Sequence, residues 1–427
     1  MNTKRFNPQM RNVAGFRLFD IALLFLCGMP MSQFGSANVF NFGGRFFPEF
    51  FFIPWFGLLF LSSPARRRHL IHFFSTKMVL TTFYLFSLIA IVGLLRFDAE
   101  FLNFYARYRA LFLAMTGALV IYFVQKKADQ RETIWLAVII ILLGNCVFGL
   151  IDNNVGTKHA IPAMGFMICV IFFTERKMPL VAILVLGLFA YATVISFFRV
   201  NYGVFFLTAM YVLLHAVLGL NKSNVSGSKG GMSKASLVGL LAILISTAFL
   251  VTNWGLVYDF LSATPSRYAQ SIAKYNALIE GLERGSIGNS SDVSRLEGLK
   301  FFFNNFMAFL LPNGIVNDSS LWNFSLWGGS RFSSNANLAR DSVFAYTIQF
   351  LGFGLAIPIG VLCALSASLA LLQSPKLIDA IRTTFLLFAF LLLFTVDGLV
   401  LTQFERSFQY GVAFALCFPI FKRKVVW

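Results

Sequence analysis

Long uninterrupted runs of apolar residues, separated by short basic or glycine-containing breaks, dominate the chain. The runs are about 17 to 22 residues long and lack the polar alternation of barrel strands, which predicts helices that cross a bilayer. Backbone N–H and C=O groups in hydrocarbon need partners inside their own segment, and a helix supplies them. Spans are expected near 17–35, 46–62, 78–95, 108–125, 133–151, 160–174, 179–197, 203–220, 235–256, 341–372, 383–402 and 408–421. The predicted fold is all-α: a polytopic transmembrane helical bundle of about twelve spans. One large extracytoplasmic loop separates spans nine and ten, so that residues 1–256 hold nine spans, 257–340 the loop with two helices, and 341–427 the last three spans. The run 341–372 is long enough to be tilted or kinked, with Pro358 the expected cause.

Composition supports this reading. Of 427 residues, 58% are hydrophobic and 12% charged, more apolar surface than one soluble core can hide. A net charge of +17 suggests nucleic acid until the cations are located. With a cytoplasmic amino terminus, the inside segments hold 21 of the 35 Lys and Arg, including Arg66 to Lys77, Lys126 to Arg131, Arg176 with Lys177, and Lys422 to Lys424. The positive-inside rule therefore orients the chain with both termini cytoplasmic, and no nucleic acid is needed to explain the charge. Lys4, Arg5, Arg11 and Arg17 precede the first apolar run as in a signal peptide, yet no small-x-small cleavage pattern follows Cys27, which predicts an uncleaved first span. All five cysteines lie in or beside apolar runs, so no disulfide framework is expected, and the four scattered histidines fit no local metal-binding spacing.

The long loop has its own pattern. Thr264-Pro265 supplies an N-cap and a first-turn proline, followed by Tyr268, Ile272, Tyr275, Ile279 and Leu282 at helical spacing. A second helix is expected from about Ser291, running through the apolar Phe301-Phe302-Phe303 to Pro312 and dipping into the membrane interface. From Ile315 to Arg340, Ser, Asn and Gly surround Trp322, Phe324 and Trp327, which predicts an irregular segment with aromatic faces.

Candidate chemistry collects on the outer side. Arg199 sits in a turn barely long enough to join spans seven and eight, so it either snorkels to lipid phosphates or belongs to a site. Arg295, in the second loop helix, is either a surface charge paired locally or another such cation. Arg331, Arg340 and Arg406 are further outside cations. Gathered together, guanidinium forks would match a lipid-linked phosphate or diphosphate. Acidic candidates on the same side are Asp341, Glu405, Glu49 and Asp397. Asp397, within a span, is either functional or neutralised by a neighbouring arginine that ties helices together. Trp322 and Trp327 suit stacking on sugar rings as well as interface anchoring. His215, in the inner half of span eight, reads as structural.

The layout of Ser196-Phe-Phe-Arg199, then Ser294-Arg295 with Pro312-Asn313-Gly314, then Asp341-Ser342-Val343-Phe344 and Leu351-Gly352-Phe353-Gly354, resembles the O-antigen polymerase (Wzy) family within the O-antigen polymerase and ligase group. The similarity covers roughly residues 180–370. It implies a metal-independent, cofactor-free glycosyltransferase of the bacterial inner membrane, making O-antigen, capsule or exopolysaccharide on the periplasmic face. The implied donor is an undecaprenyl diphosphate-linked oligosaccharide and the acceptor a lipid-linked repeat unit. A chain-length regulator and a flippase of the same pathway are the implied protein partners. Arg199 and Arg295 would stabilise the departing diphosphate, and Asp341, or secondly Glu405, would take the acceptor proton. Arg331, Arg340, Arg406, Trp322, Trp327 and Asp397 would bind substrate. Ligases of this group resemble one another in a His-Asn pair where this chain has Asp341-Ser342, which favours a polymerase.

Two alternatives stay open. One is a ligase moving finished glycan onto lipid A core. The other is a multi-span transporter or flippase, for which repeat symmetry and midplane polar residues are the expected signs. No internal repeat is visible, and the long connection lies between spans nine and ten rather than between two six-span halves.

Overall fold

The computed structural model describes residues 16–28, 41–42, 45–46, 49–97, 101–126, 131–152, 162–196, 199–226, 259, 303–304, 306–312, 347–348, 351–374, 377–396 and 404–419. The expected span 235–256 and the first loop helix lie outside them.

The described chain is helical, apart from a two-residue antiparallel ladder between β1 (Asn41–Phe42) and β2 (Arg45–Phe46). Its helices are α1 (Leu18–Cys27), α2 (Glu49–Leu61), α3 (Pro64–Ser75), α4 (Lys77–Phe97), α5 (Phe101–Lys126) and α6 (Arg131–Asp152). They continue with α7 (Ala163–Glu175), α8 (Pro179–Ser196), α9 (Arg199–Ser226), α10 (Phe353–Leu372), α11 (Leu377–Val396) and α12 (Phe404–Cys417). Four segments, Arg131–Ile151, Val200–Val217, Phe353–Leu372 and Leu377–Phe394, are long and apolar enough to cross a membrane, and the bent pair α3–α4 raises this to five. Shorter apolar helices, including Leu18–Cys27, Ala163–Glu175 and Ser407–Cys417, lie within other expected spans but fall below the length of a crossing.

Side chains from α1, α2 and α5 to α12 share one buried cluster. Lipid tails are as apolar as leucine, so close packing rather than escape from water must hold such helices together. The pairing of α5 with α12 is the most extensive among the described residues. Gly411 faces the Ala114 carbonyl so closely that a Cβ would overlap it, and Tyr122 donates to the Phe418 carbonyl at 3.0 Å. Because 114 meets 411 and 122 meets 418, the two helices run in the same direction.

Other contacts set the remaining directions. Cys169 approaches the Ile139 carbonyl while Gly165 meets Cys146, so α6 and α7 are antiparallel. Phe166 stacks on Phe189 at 5.0 Å, and Phe189 meets Phe205 edge-on at 5.6 Å, joining α7, α8 and α9 in an aromatic row. Gly203 touches Leu392 near the start of α9, and Tyr211, in its middle, reaches the start of α11 through Glu175, so α9 and α11 are antiparallel.

The expected kink at Pro358 is not where the chain breaks. Pro358 lies inside α10, and the interruption falls at Gly352, whose φ is +70° and ψ 160°. That combination is open to glycine alone, and an added Cβ would come within 2.5 Å of the Leu311 carbonyl carbon. A 3-10 turn, Phe306–Phe309, packs there: Phe306 stacks on Phe353 at 4.7 Å, and the Gly354 N–H donates to the Leu310 carbonyl at 2.8 Å. Pro358, the sixth residue of α10, stays inside the helix and forgoes the bond its N–H would make to the carbonyl of residue 354, while the backbone turns at glycine. Gly352→Ala is expected to cost about 1–3 kcal/mol. A lower thermal unfolding midpoint for the purified protein in detergent is the readout, and an unchanged midpoint contradicts it.

Candidate functional site

The two ends of the bundle differ. At one end begin α7, α9 and α12, and α11 finishes beside them. The contacts that fix this are Gly203 with Leu392, the Phe390 ring with Tyr410 at 6.4 Å, and the Gly165 N–H donated to the Gln409 Oε1 at 2.5 Å. Gly165 lies in the first turn of α7, where its N–H has no partner within the helix, and Gln409, 1% exposed, supplies one from α12. Gln409 thereby fixes the starts of α7 and α12 side by side.

Three of the residues expected to carry chemistry have backbone positions at this end. Arg199 is the first residue of α9, and Glu405 and Arg406 are the second and third of α12. Val200 and Asn201, next to Arg199, are buried, as are Ser407 and Phe408 after Arg406. Both helices present the N–H groups of their first turns at the same end, where the helix dipole favours anions. Arg295, Arg331, Arg340, Asp341, Asp397, Trp322 and Trp327 lie outside the described residues.

The opposite end holds a polar network that the sequence reading missed. Glu175, the last residue of α7, accepts from the Tyr211 hydroxyl of α9 and from the Arg382 Nη1 of α11 at 2.9 Å. The same Nη1 lies 3.2 Å from the Asp379 Oδ1. Arg382 is 4% exposed overall, so its charge is removed from water and held by two carboxylates. The backbone aims Glu175 inward: Met178 N–H bonds the Phe173 carbonyl and Lys177 N–H the Thr174 carbonyl, with Lys177 left-handed at φ 58°. A tight turn of this kind leaves no slack between α7 and α8. On its outer side Arg176 pairs with Glu132 of α6 at 2.8 Å and covers the Phe172 ring at 5.3 Å. The available signal was an acidic residue beside two cations between apolar runs, but nothing local points to residue 382.

This network joins α7, α9 and α11 and fixes where α9 sits. Its chemistry is that of a clamp, since both carboxylates are engaged by the one buried guanidinium. His215 lies one turn beyond Tyr211, its ring 6.0 Å away, in keeping with a structural part. All five cysteines are buried free thiols. Among the described residues no three His, Cys, Asp or Glu side chains gather as a metal site. No family model, no curated protein and no solved structure matches the chain.

Proposed function

We propose that this membrane-embedded chain is a polysaccharide polymerase of the O-antigen polymerase type, working on the periplasmic face of a bacterial inner membrane with about twelve spans and both termini inside. The observation that carries the reading is the common end at which α9 and α12 begin, one with Arg199 and the other with Glu405 and Arg406. Two helix starts and two arginine positions at one end suit a diphosphate leaving group. The opposite end carries Arg176, Lys177 and Arg382, in keeping with a cytoplasmic face there.

In the proposed reaction the bond between the donor's anomeric carbon and the diphosphate oxygen breaks, and its electron pair leaves with the undecaprenyl diphosphate. Arg199 and Arg295 stabilise that charge. The acceptor sugar hydroxyl forms the new glycosidic bond and gives its proton to Asp341, or secondly to Glu405. Arg331, Arg340, Arg406, Asp397, Trp322 and Trp327 hold the lipid-linked glycans, with Arg binding phosphate and Trp stacking on sugar.

Incubating purified protein with undecaprenyl diphosphate-linked repeat units tests this, and chains of two or more units on the carrier are expected. Transfer of preformed polymer to lipid A core, with no lengthening on the carrier, would instead make the protein a ligase. No new glycosidic bond with either acceptor overturns both.

A further inference from the structure

The short helix α3 differs from every other helix of the bundle. It holds Arg66, Arg67, Arg68, His69 and His72, and no acidic residue occurs between Glu49 and Asp98. It is bent by 55° from α4 across a break at Thr76. With 21 residues, α4 is about 31 Å long at 1.5 Å per residue, enough to cross hydrocarbon without α3. A helix that is not needed for crossing, and is turned away from the one that crosses, can lie along the surface.

One side of α3 is anchored. Phe73 is buried against Phe123 of α5 at 5.5 Å, close to the Tyr122 contact at the finishing end of α12. Arg66 pairs with Asp20 of α1 at 2.5 Å, covers the Phe16 ring at 4.8 Å and donates to the Leu59 carbonyl at 3.2 Å. Arg67 donates to the Leu61 carbonyl at 3.0 Å, so two arginines satisfy carbonyls left open where α2 ends. These contacts place α3 at the end of the bundle that also holds the Glu175–Arg382 clamp.

The other side is open. Ile71 is 60% and Phe74 49% exposed, one turn apart on the same stripe, and Arg68 is exposed on the flank next to them. Lys77, at the start of α4, is exposed as well. Arg68 and Lys77 have no ion-pair partner among the described residues, while the carboxylates of Asp20, Glu132, Glu175 and Asp379 at this end are already paired. An apolar stripe beside exposed cations fits the boundary between lipid tails and headgroups.

We propose that α3 lies in the membrane interface and binds anionic phospholipid headgroups through Arg68 and Lys77, with Ile71 and Phe74 inserted among the acyl chains. The proposal rests on the chain being membrane-embedded and not on its catalysing glycosyl transfer. It is tested on the full-length protein in nanodiscs containing phosphatidylglycerol with a photoreactive group beside the headgroup, mapping adducts by mass spectrometry. In the wild type, adducts are expected to concentrate on residues 64–77. Arg68→Gln with Lys77→Gln is expected to reduce them by roughly five-fold for each cation removed. Ile71→Ser with Phe74→Ser, which keeps both charges, is expected to reduce them too, because the helix then sits higher. A zwitterionic phosphatidylcholine analogue is expected to label the wild type and the charge variant equally, and millimolar inorganic phosphate to leave the phosphatidylglycerol adducts intact. Equal phosphatidylglycerol labelling of wild type and charge variant overturns the proposal. Displacement by inorganic phosphate overturns it as well, in favour of a free-anion site. Both charge substitutions are at exposed positions with no ion-pair partner among the described residues, so an unchanged thermal midpoint is expected. Glycan polymerisation is scored separately, which keeps a failure here apart from a failure of the polymerase reading.

Discussion

Arg199→Ala is expected to abolish long glycan in a complementation strain while the protein remains in the membrane at the wild-type level. Removing one preorganised donor from a developing negative charge typically costs about a hundred- to a thousand-fold in rate. A polymerase repeats the step for every unit added, so a slowed step shortens the whole ladder. Arg199 is the first residue of α9, and the buried Val200 and Asn201 that follow it are unchanged in the variant. Arg199→Lys keeps the charge and loses the two-pronged fork, so intermediate ladders are expected. Arg295→Ala is expected to behave as Arg199→Ala does. Gel analysis of surface glycan, with an immunoblot of the membrane fraction, reads both effects, and normal ladders from both alanine variants would remove these arginines from the mechanism.

The second large effect is on stability. Arg382→Met leaves the Glu175 carboxylate at the end of α7 with only the Tyr211 hydroxyl, and breaking a buried pair in this way costs about 3–5 kcal/mol. The side chain of Glu175 is 20% exposed, so the lower part of that range is expected. Joining Arg382→Met to Glu175→Gln removes the pair and leaves only the part-exposed Asp379 carboxylate, so it is expected to restore part of the loss. Thermal unfolding in detergent measures it, and a double variant no more stable than the single one would show that the pair is not what holds these helices. The clamp holds α9 at Tyr211, in the middle of the helix that begins at Arg199, so loosening it is also expected to lower polymer yield at elevated temperature.

Much of the architecture was readable from the residue pattern, and for a simple reason. A segment such as 131–151 must be helical in hydrocarbon whatever its neighbours do, so a long apolar run suffices to identify it. The start of α9 was legible only to within a few residues: the sequence puts Arg199 in a turn before a span from 203, whereas the helix begins at Arg199 itself. The turn at Gly352 was not. Proline is the usual cause of a break, and only the approach of Leu310 and Leu311 from another segment makes Gly352 the hinge. The partner of Glu175 was invisible for the same kind of reason, since Arg382 is 207 positions away and is brought near by α9 and α11 running in opposite directions.

The residue pattern by itself determined that the chain is helical, that lipid is the solvent for its long apolar helices, and where cations punctuate them. These follow from local rules of hydrogen bonding and hydrophobicity. The tertiary structure decided which helices touch and in which direction: α5 beside α12 through Ala114 and Gly411, and α7, α9 and α11 joined at the Glu175 carboxylate. It also decided that α3 turns away from α4 with an open basic edge. In a bilayer every helix is apolar on its outside, so hydrophobicity cannot choose between neighbours. Small residues that permit close approach, and a few buried polar partners, make that choice.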